Sequence, residues 1–348
     1  MSGLFNVEVG PSLIRSRSKD WKSYVVVTTA TPWKLAQPEL SRSPAGVEFV
    51  ESNDVSHLDQ INGRLPDADY VVSIGGAGCQ EAAKYFERKR GAARIHVPTV
   101  VSNNAALTTV MTVFRGAHRD AIYGLDPPRA VLYDLGLVKS AKRYVNRSGM
   151  GEQLCVHVGS YDWRLASSRG LGLTWSHGLA REMATITTRC LKVAPLLKDL
   201  PEAAITELVA LWLRVGELID QYGCMNFTGA SEHVFALNLT RVTGKRLIHG
   251  QCVGLGVVVM SFLQRNAPEV MAEAFVEAGA RFKPTDIGCT WDDVAAVLRT
   301  LPEQARRMRD DTPYSIADEV QYSPELLAEV RAFVEPYPTP TDDEWPIA

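Results

Sequence analysis

ADYVVSIGGAGCQEAAKYFERKRG, residues 68–91, combines three local signals in one stretch. Tyr70–Ile74 is an apolar, β-branched run of strand length, Gly75-Gly76-Ala77-Gly78 is a tight turn, and Gln80–Lys89 has the spacing of an amphipathic helix. A strand running through glycines into a helix places backbone amides at a helix N-terminus. Glycine there lets the chain approach a pyrophosphate, and the helix end favours an anion. The same turn also serves plain strand–helix packing, so this stretch alone leaves a dinucleotide site and a structural turn equally open.

The flanking sequence repeats the pattern. Tyr24–Val27 reads as a buried parallel strand, ending in TTATPW (28–33), a polar loop at a strand's carboxyl end where a ligand could sit. Val47–Val50 reads as a second strand, and Arg94–Thr99 as another, closed by Pro98. The loop that follows, TVVSNNAALTTV (99–110), is rich in small hydroxyl and amide groups, which suit a phosphate or nicotinamide site and equally a capped turn opening a helix. Ala130–Asp134 is one more strand. Strands alternating with helical stretches argue for an α/β, Rossmann-like domain with a parallel sheet, assigned to residues 1–138.

From about Lys139 the strand signals stop, and residues 139–348 read as an all-α domain. Helical periodicity covers Leu171–Leu197, Glu202–Tyr222, Gly254–Arg265, Pro268–Ala280 and Trp291–Arg309. Before them, RSGMGEQL (147–154) is a glycine turn feeding a helix that runs past Trp163, with Glu152 in its first turn. A carboxylate there suits the helix dipole, and it is also an oxygen ligand on a rigid element. In TGASEHVFALNLTRVTGKRLIHGQCVGLG (228–256), His233 lies inside a helical run, Gly244-Lys245-Arg246 forms a turn, and His249 precedes a glycine-opened helix. Either histidine alone reads as a satisfied core residue. Two imidazoles with one carboxylate instead describe a metal with an open position for substrate.

The chain has 348 residues and a formal net charge of -3, which argues against a nucleic-acid or membrane-surface role. The first residues show no apolar signal-peptide core, and no run is long enough to span a bilayer. Its six cysteines are scattered without a CxxC pair and read as reduced, cytoplasmic thiols. The Pro- and acid-rich end, TPTDDEWPIA and its approach, is expected to be a loosely held tail.

Taken in order, GGAG, PTVVSNNA, SGMGEQL, YDW, SEH and HGQCVGLG resemble the iron-containing alcohol dehydrogenase and dehydroquinate synthase superfamily. YDWRLA (161–166) and RRMRDDTPYSI are most similar to its sn-glycerol-1-phosphate dehydrogenase branch. The resemblance spans nearly the whole chain. It implies a dinucleotide-binding domain, a helical domain and a catalytic divalent metal in the cleft between them. By position it places metal ligands at Glu152, His233 and His249, cofactor contacts at Gly75, Gly76, Ala77, Thr99, Ser102 and Thr108, and the substrate-side position at Asn104.

Several positions depart from the family's pattern. The first ligand is Glu152 where the dehydrogenase branch has aspartate, and Asn104 replaces a substrate-side aspartate. Val156, Leu237 and Gln251 stand where Lys or His, a second His, and a Glu are usual. The chain is therefore expected to be a divergent NAD(P)-dependent dehydrogenase or reductase. Its substrate would be a small polyol, a polyol phosphate or the matching ketone, with hydride transfer at an oxygen held by zinc, or alternatively iron. Two other readings stay open: a sugar-phosphate cyclase using NAD transiently, mildly favoured by Glu152, and a non-catalytic binding protein descended from the family. Glu51, after the second strand, is either a ribose acceptor favouring NAD over NADP or a solvated charge. The apolar helix faces of the second half are compatible with a homodimer.

Overall fold

The computed structural model describes residues 4–116 and 118–341. The chain divides into two compact units, the first being Met1–Lys142 with Trp212–Gly223, the second Arg143–Leu211 with Cys224–Ala348.

The first unit carries strands β1 (Val7–Gly10), β2 (Tyr24–Thr28), β3 (Gly46–Phe49), β4 (Tyr70–Gly75), β5 (Ala93–Pro98), β6 (Met111–Arg115), β7 (His118–Ile122) and β8 (Ala130–Asp134). Its helices are α1 (Leu13–Arg17), α2 (Ala30–Ala36), α3 (Val55–Arg64), α4 (Ala77–Arg90) and α5 (Leu135–Ser140). Six strands form one sheet in the order β1-β8-β5-β4-β2-β3, every neighbouring pair parallel. The apolar runs of β2 and β4 are buried on both faces. Val25, Val27 and Val71 face one core with Leu58, Ile61 and Phe86, whereas Tyr24, Val26, Val72 and Ile74 face the other with Ile14 and Trp21. A strand covered on both sides needs no polar alternation, which is why these segments read as continuous hydrophobic runs.

The chain leaves β2 for β3 on one side and returns to β4 on the other, so the strand order reverses at the carboxyl ends of β2 and β4. The two ends are tied together there, Thr28 Oγ1 donating to the Ile74 carbonyl at 2.7 Å. Open parallel sheets bind ligands at this kind of reversal.

Three local features differ from the sequence reading or are absent from it. TTATPW is not a loop: Thr29 stands at the N-cap and residues from Ala30 on form α2. Strand β1 is formed by a short stretch that gains its pairing from β8 at the sheet edge. The segment after the SNNA loop opens only a 3-10 turn, Ala105–Leu107, and then the antiparallel hairpin β6–β7. The hairpin strand His118–Ile122 is polar, so no hydrophobic alternation announces it.

The second unit holds α6 (Arg143–Arg147), α7 (Gly149–Ser168), α8 (His177–Val193), α9 (Glu202–Tyr222), α10 (Ser231–Thr243), α11 (His249–Gln264), α12 (Pro268–Ala278), α13 (Trp291–Arg307) and α14 (Pro324–Val334), the second half of α9 being grouped with the first unit. It contains no strand among the described residues. Helix α11 is its centre: Gly250 through Ser261 is buried without a break, as expected of a helix apolar on all sides. Gly244 closes α10 with a left-handed φ of 63°, the conformation glycine adopts without cost at a helix C-terminus. The approach to the C-terminus is pinned, Lys283 Nζ donating to the Tyr337 carbonyl at 2.9 Å and Thr339 Oγ1 to Asp286 Oδ1 at 2.9 Å. The expected loose tail otherwise falls on residues 342–348, outside the described residues. No helix among the described residues is long and apolar enough to cross a membrane.

Candidate metal centre

Glu152 belongs to the first turn of α7, His233 to the first turn of α10, and His249 is the first residue of α11. Glycines let these helices approach to backbone contact. A Cβ at Gly151 would lie 2.0 Å from the Gly250 carbonyl oxygen and 2.7 Å from the Gly254 nitrogen. One at Gly250 would lie 2.4 Å from the Ser148 carbonyl oxygen, and one at Gly256 would lie 2.5 Å from that of Glu232. Any side chain at these positions would wedge α11 away from α7 or α10.

The side chains then converge. Glu152 Oε2 is 3.6 Å from His233 Nε2, and Glu152 Oε1 is 3.2 Å from His249 Nε2. The two imidazole centroids are 5.4 Å apart, with their planes inclined by 56°. One donor atom from each of the three residues lies within 4.8 Å of the other two. Glu152 is largely buried, and its Oε1 has no hydrogen-bond donor. Burial pushes the Glu152 carboxyl up, but His249 and His233 outweigh it and hold it below its ordinary value. Burial pushes the His233 imidazole down, yet its hydrogen bonds to Glu152 and Glu232 raise it to about 10. A carboxylate whose two oxygens each face an imidazole nitrogen, one of them lacking a hydrogen-bond donor, is a donor set that fits a divalent cation.

A second grouping, Cys155, Glu232 and His233, shares the same histidine. Cys155 Sγ lies 2.8 Å from Glu152 O and 2.7 Å from Thr228 O, its single hydrogen engaged between these two acceptors, and burial holds the thiol well above its ordinary value. A protonated thiol committed to carbonyls is not a ligand. Glu232 lies against the other nitrogen of His233, with Nδ1 and Oε1 2.7 Å apart. Sequence reasoning passed over Glu232, and the available signal was a carboxylate adjoining a histidine on a buried helix turn. Among the departures from the family pattern, Val156 is buried, Leu237 is half-buried, and Gln251 is buried with neither amide atom hydrogen-bonded.

The remaining candidate residues lie in the first unit. Gly75 ends β4 with φ 156°, and a Cβ there would meet Cys79 Sγ at 2.5 Å. Its carbonyl accepts from Thr99 N at 3.1 Å and Gln80 Nε2 at 2.8 Å. Gly76 is the N-cap of α4 and Ala77 its first residue, at the carboxyl edge of the sheet. Thr99 is buried next to this turn, and Ser102 is half-buried, its Oγ accepting from Asn103 Nδ2 at 3.2 Å. Thr108 is buried, its hydroxyl accepting from Lys84 Nζ and donating to the Val110 carbonyl, both at 3.2 Å. Asn104 precedes the 3-10 turn, and its carbonyl accepts from Leu107 N at 2.8 Å. Glu51 is exposed just past β3, its backbone amide donating to His57 Nε2 at 3.2 Å.

The sequence profile of the iron-containing alcohol dehydrogenase family matches residues 8–141. The fold is shared with solved iron-containing alcohol dehydrogenases, among them that of Thermotoga maritima with a TM-score of 0.63 at 14% identity, covering 96% of this chain and 99% of the other. The glycerol-1-phosphate dehydrogenase [NAD(P)+] of Thermofilum pendens is 26% identical over 290 residues, covering 81% of this chain and 83% of that protein. The Halobacterium salinarum enzyme of the same description is 24% identical over 298 residues, covering 80% and 82%. Among solved structures, a probable glycerol dehydrogenase from Sinorhizobium meliloti superposes with a TM-score of 0.74 at 19% identity, covering 96% of this chain and 99% of the other. Glycerol dehydrogenase from Schizosaccharomyces pombe gives 0.68 at 18% identity, covering 96% and 91%. The α/β-plus-helical fold and the superfamily resemblance read from the motif order both agree with these findings.

Proposed function

We propose that this chain is an NAD(P)-dependent, metal-containing dehydrogenase that interconverts a small polyol or polyol phosphate and its ketone. The observation that carries the reading is the convergence of Glu152, His233 and His249 on one point, with a buried carboxylate oxygen left without a donor. The names of the sequence relatives, glycerol-1-phosphate dehydrogenases, supply the substrate class.

In this reading Glu152, His233 and His249 hold one divalent cation, zinc being favoured by two imidazoles and a carboxylate, with iron as the alternative. Such an ion supplies Lewis-acid polarisation of the substrate's hydroxyl or carbonyl oxygen. A nicotinamide cofactor held at the turn of Gly75, Gly76 and Ala77 would supply the hydride acceptor, the hydroxyl proton leaving to solvent. The chain's own contribution is placement. Helices locked by glycine contacts hold the ligands, and the turn at Gly75, Gly76 and Ala77 presents the α4 N-terminus to the cofactor's phosphates. Thr99, whose amide donates to the Gly75 carbonyl, is assigned to the cofactor together with Ser102 and Thr108, and Asn104 is assigned to substrate. The division of labour puts cofactor binding in the first unit and metal binding in the second. A cytoplasmic location and a homodimer complete the proposal, consistent with six free cysteines.

The test is elemental analysis of the purified chain beside His233→Ala and His249→Ala, followed by a screen of polyols, their phosphates and ketones with NAD(H) and NADP(H). About one zinc or iron per chain, lost in both variants together with turnover, is expected. Full turnover in both variants would sink the ligand assignment, and a chain that binds metal but never consumes NAD(P)H would favour the cyclase chemistry instead.

A further inference from the structure

We propose that Glu232 is the positioning residue for His233, fixing which imidazole nitrogen is presented to the cation. The inference rests on the metal reading of Glu152, His233 and His249 and extends it to a residue outside the ligand set.

The geometry is specific. Glu232 is fully buried on the first turn of α10. Its Oε1 accepts from the Ala230 backbone amide at 2.8 Å and lies 2.7 Å from His233 Nδ1. An oxygen already accepting from an amide meets Nδ1 as an acceptor, so Nδ1 holds its hydrogen there and Nε2 is the nitrogen left to give up its proton to an arriving cation. Nε2 is the atom that faces Glu152, at 3.6 Å. The carboxylate has little freedom to leave: the Glu232 backbone presses on α11 at Gly256, where even a Cβ would come within 2.5 Å of its carbonyl oxygen. The other oxygen, Oε2, is buried with no hydrogen-bond partner. A buried carboxylate with one free oxygen is costly in isolation, and a cation bound through the adjacent imidazole would offset that cost. The neighbouring Cys155 does not convert Glu232 into a direct ligand, since its thiol is committed to two carbonyls. A carboxylate on the far nitrogen of a metal-bound histidine fixes the tautomer and raises the donor strength of the near one.

The experiment measures Zn²⁺ affinity of the full chain by competition with a chromophoric chelator, for the wild type, Glu232→Gln and Glu232→Ala, with thermal midpoints of the metal-free proteins recorded alongside. Glu232→Ala is expected to weaken Zn²⁺ binding roughly 10–100-fold. Glu232→Gln, which keeps an acceptor for Nδ1–H but loses the charge, is expected to weaken it measurably but less. Where the alanine variant does not fold, the glutamine variant decides. Unchanged affinity in the folded variants overturns the role, even if their metal-free midpoints fall, because that pattern belongs to packing alone. A wild type that binds no Zn²⁺ overturns the metal reading itself, and this inference with it.

Discussion

The carbonyl oxygen of Gly250 occupies the space where a side chain at Gly151 would begin, 2.0 Å from an ideal Cβ. Two backbones meet there, and Glu152 and His249 are the next residues outward on each. Gly151→Ala is therefore expected to destabilise the fold by about 1–3 kcal/mol through overpacking. It should also weaken metal binding, because Glu152 moves with its helix. Chemical denaturation and a zinc titration check both effects, and a variant as stable and as tight-binding as wild type would show that α7 and α11 do not need this contact.

At the dinucleotide turn, Gly75→Ala places a methyl 2.5 Å from Cys79 Sγ in a backbone conformation that favours glycine. NAD(P)H affinity, read by nicotinamide fluorescence, is expected to fall at least tenfold. Gly63, exposed in α3 with open space around it, supplies the control: Gly63→Ala should leave cofactor affinity unchanged and raise stability by about 0.4–1 kcal/mol.

Lys84 is fully buried, its ammonium donating to Glu81 Oε1 at 3.1 Å, to Thr108 Oγ1 and to the Val110 carbonyl. Burial lowers its pKa, against the attraction of Glu81. Lys84→Met would leave the Glu81 carboxylate buried without its cation, and an expected loss of about 3–5 kcal/mol follows. Adding Glu81→Gln should restore part of that stability. Additive losses in the double variant, measured by urea denaturation, would rule out the coupling.

Asp162 accepts from Ser231 N at 3.1 Å and Ile316 N at 2.8 Å, as well as from the Ser231 hydroxyl. Burial outweighs these bonds and raises its carboxyl from 3.8 to about 7. The folded state thus holds a proton that the unfolded chain has released. The resulting contribution is fully present below pH 3.8 and is lost as the pH rises toward about 7, so stability falls over that interval and then levels. Denaturation midpoints of wild type and Asp162→Asn between pH 5 and 8 test this, the variant being expected to lose the slope. An identical slope in the two proteins would assign it to another group.

Local pattern carried much of the architecture. The expected strands at Tyr24–Val27, Tyr70–Ile74, Arg94–Thr99 and Ala130–Asp134 fall on strands of the parallel sheet, and Glu202–Tyr222 is helical from end to end. These elements are buried on both faces or along one stripe, so residue type and period report their environment directly. The polar hairpin strand His118–Ile122 and the helix at Ala30–Ala36 have no such signature.

For the candidate site, residue chemistry singled out Glu152, His233 and His249 and the glycine turn at Gly75, each from its own neighbourhood in the chain. Their meeting is another matter. That a carboxylate on α7 comes within 3.2 Å of an imidazole on α11 depends on Gly151, Gly250 and Gly256 permitting backbone contact between helices distant in sequence. The role of Glu232 is equally absent from any linear pattern, since it depends on where Ala230 and Gly256 hold a buried carboxylate relative to one ring nitrogen. Periodicity encodes which way a side chain points from its own element. The distance to a side chain on another element is set by how closely two backbones can pack, and only the assembled fold decides that.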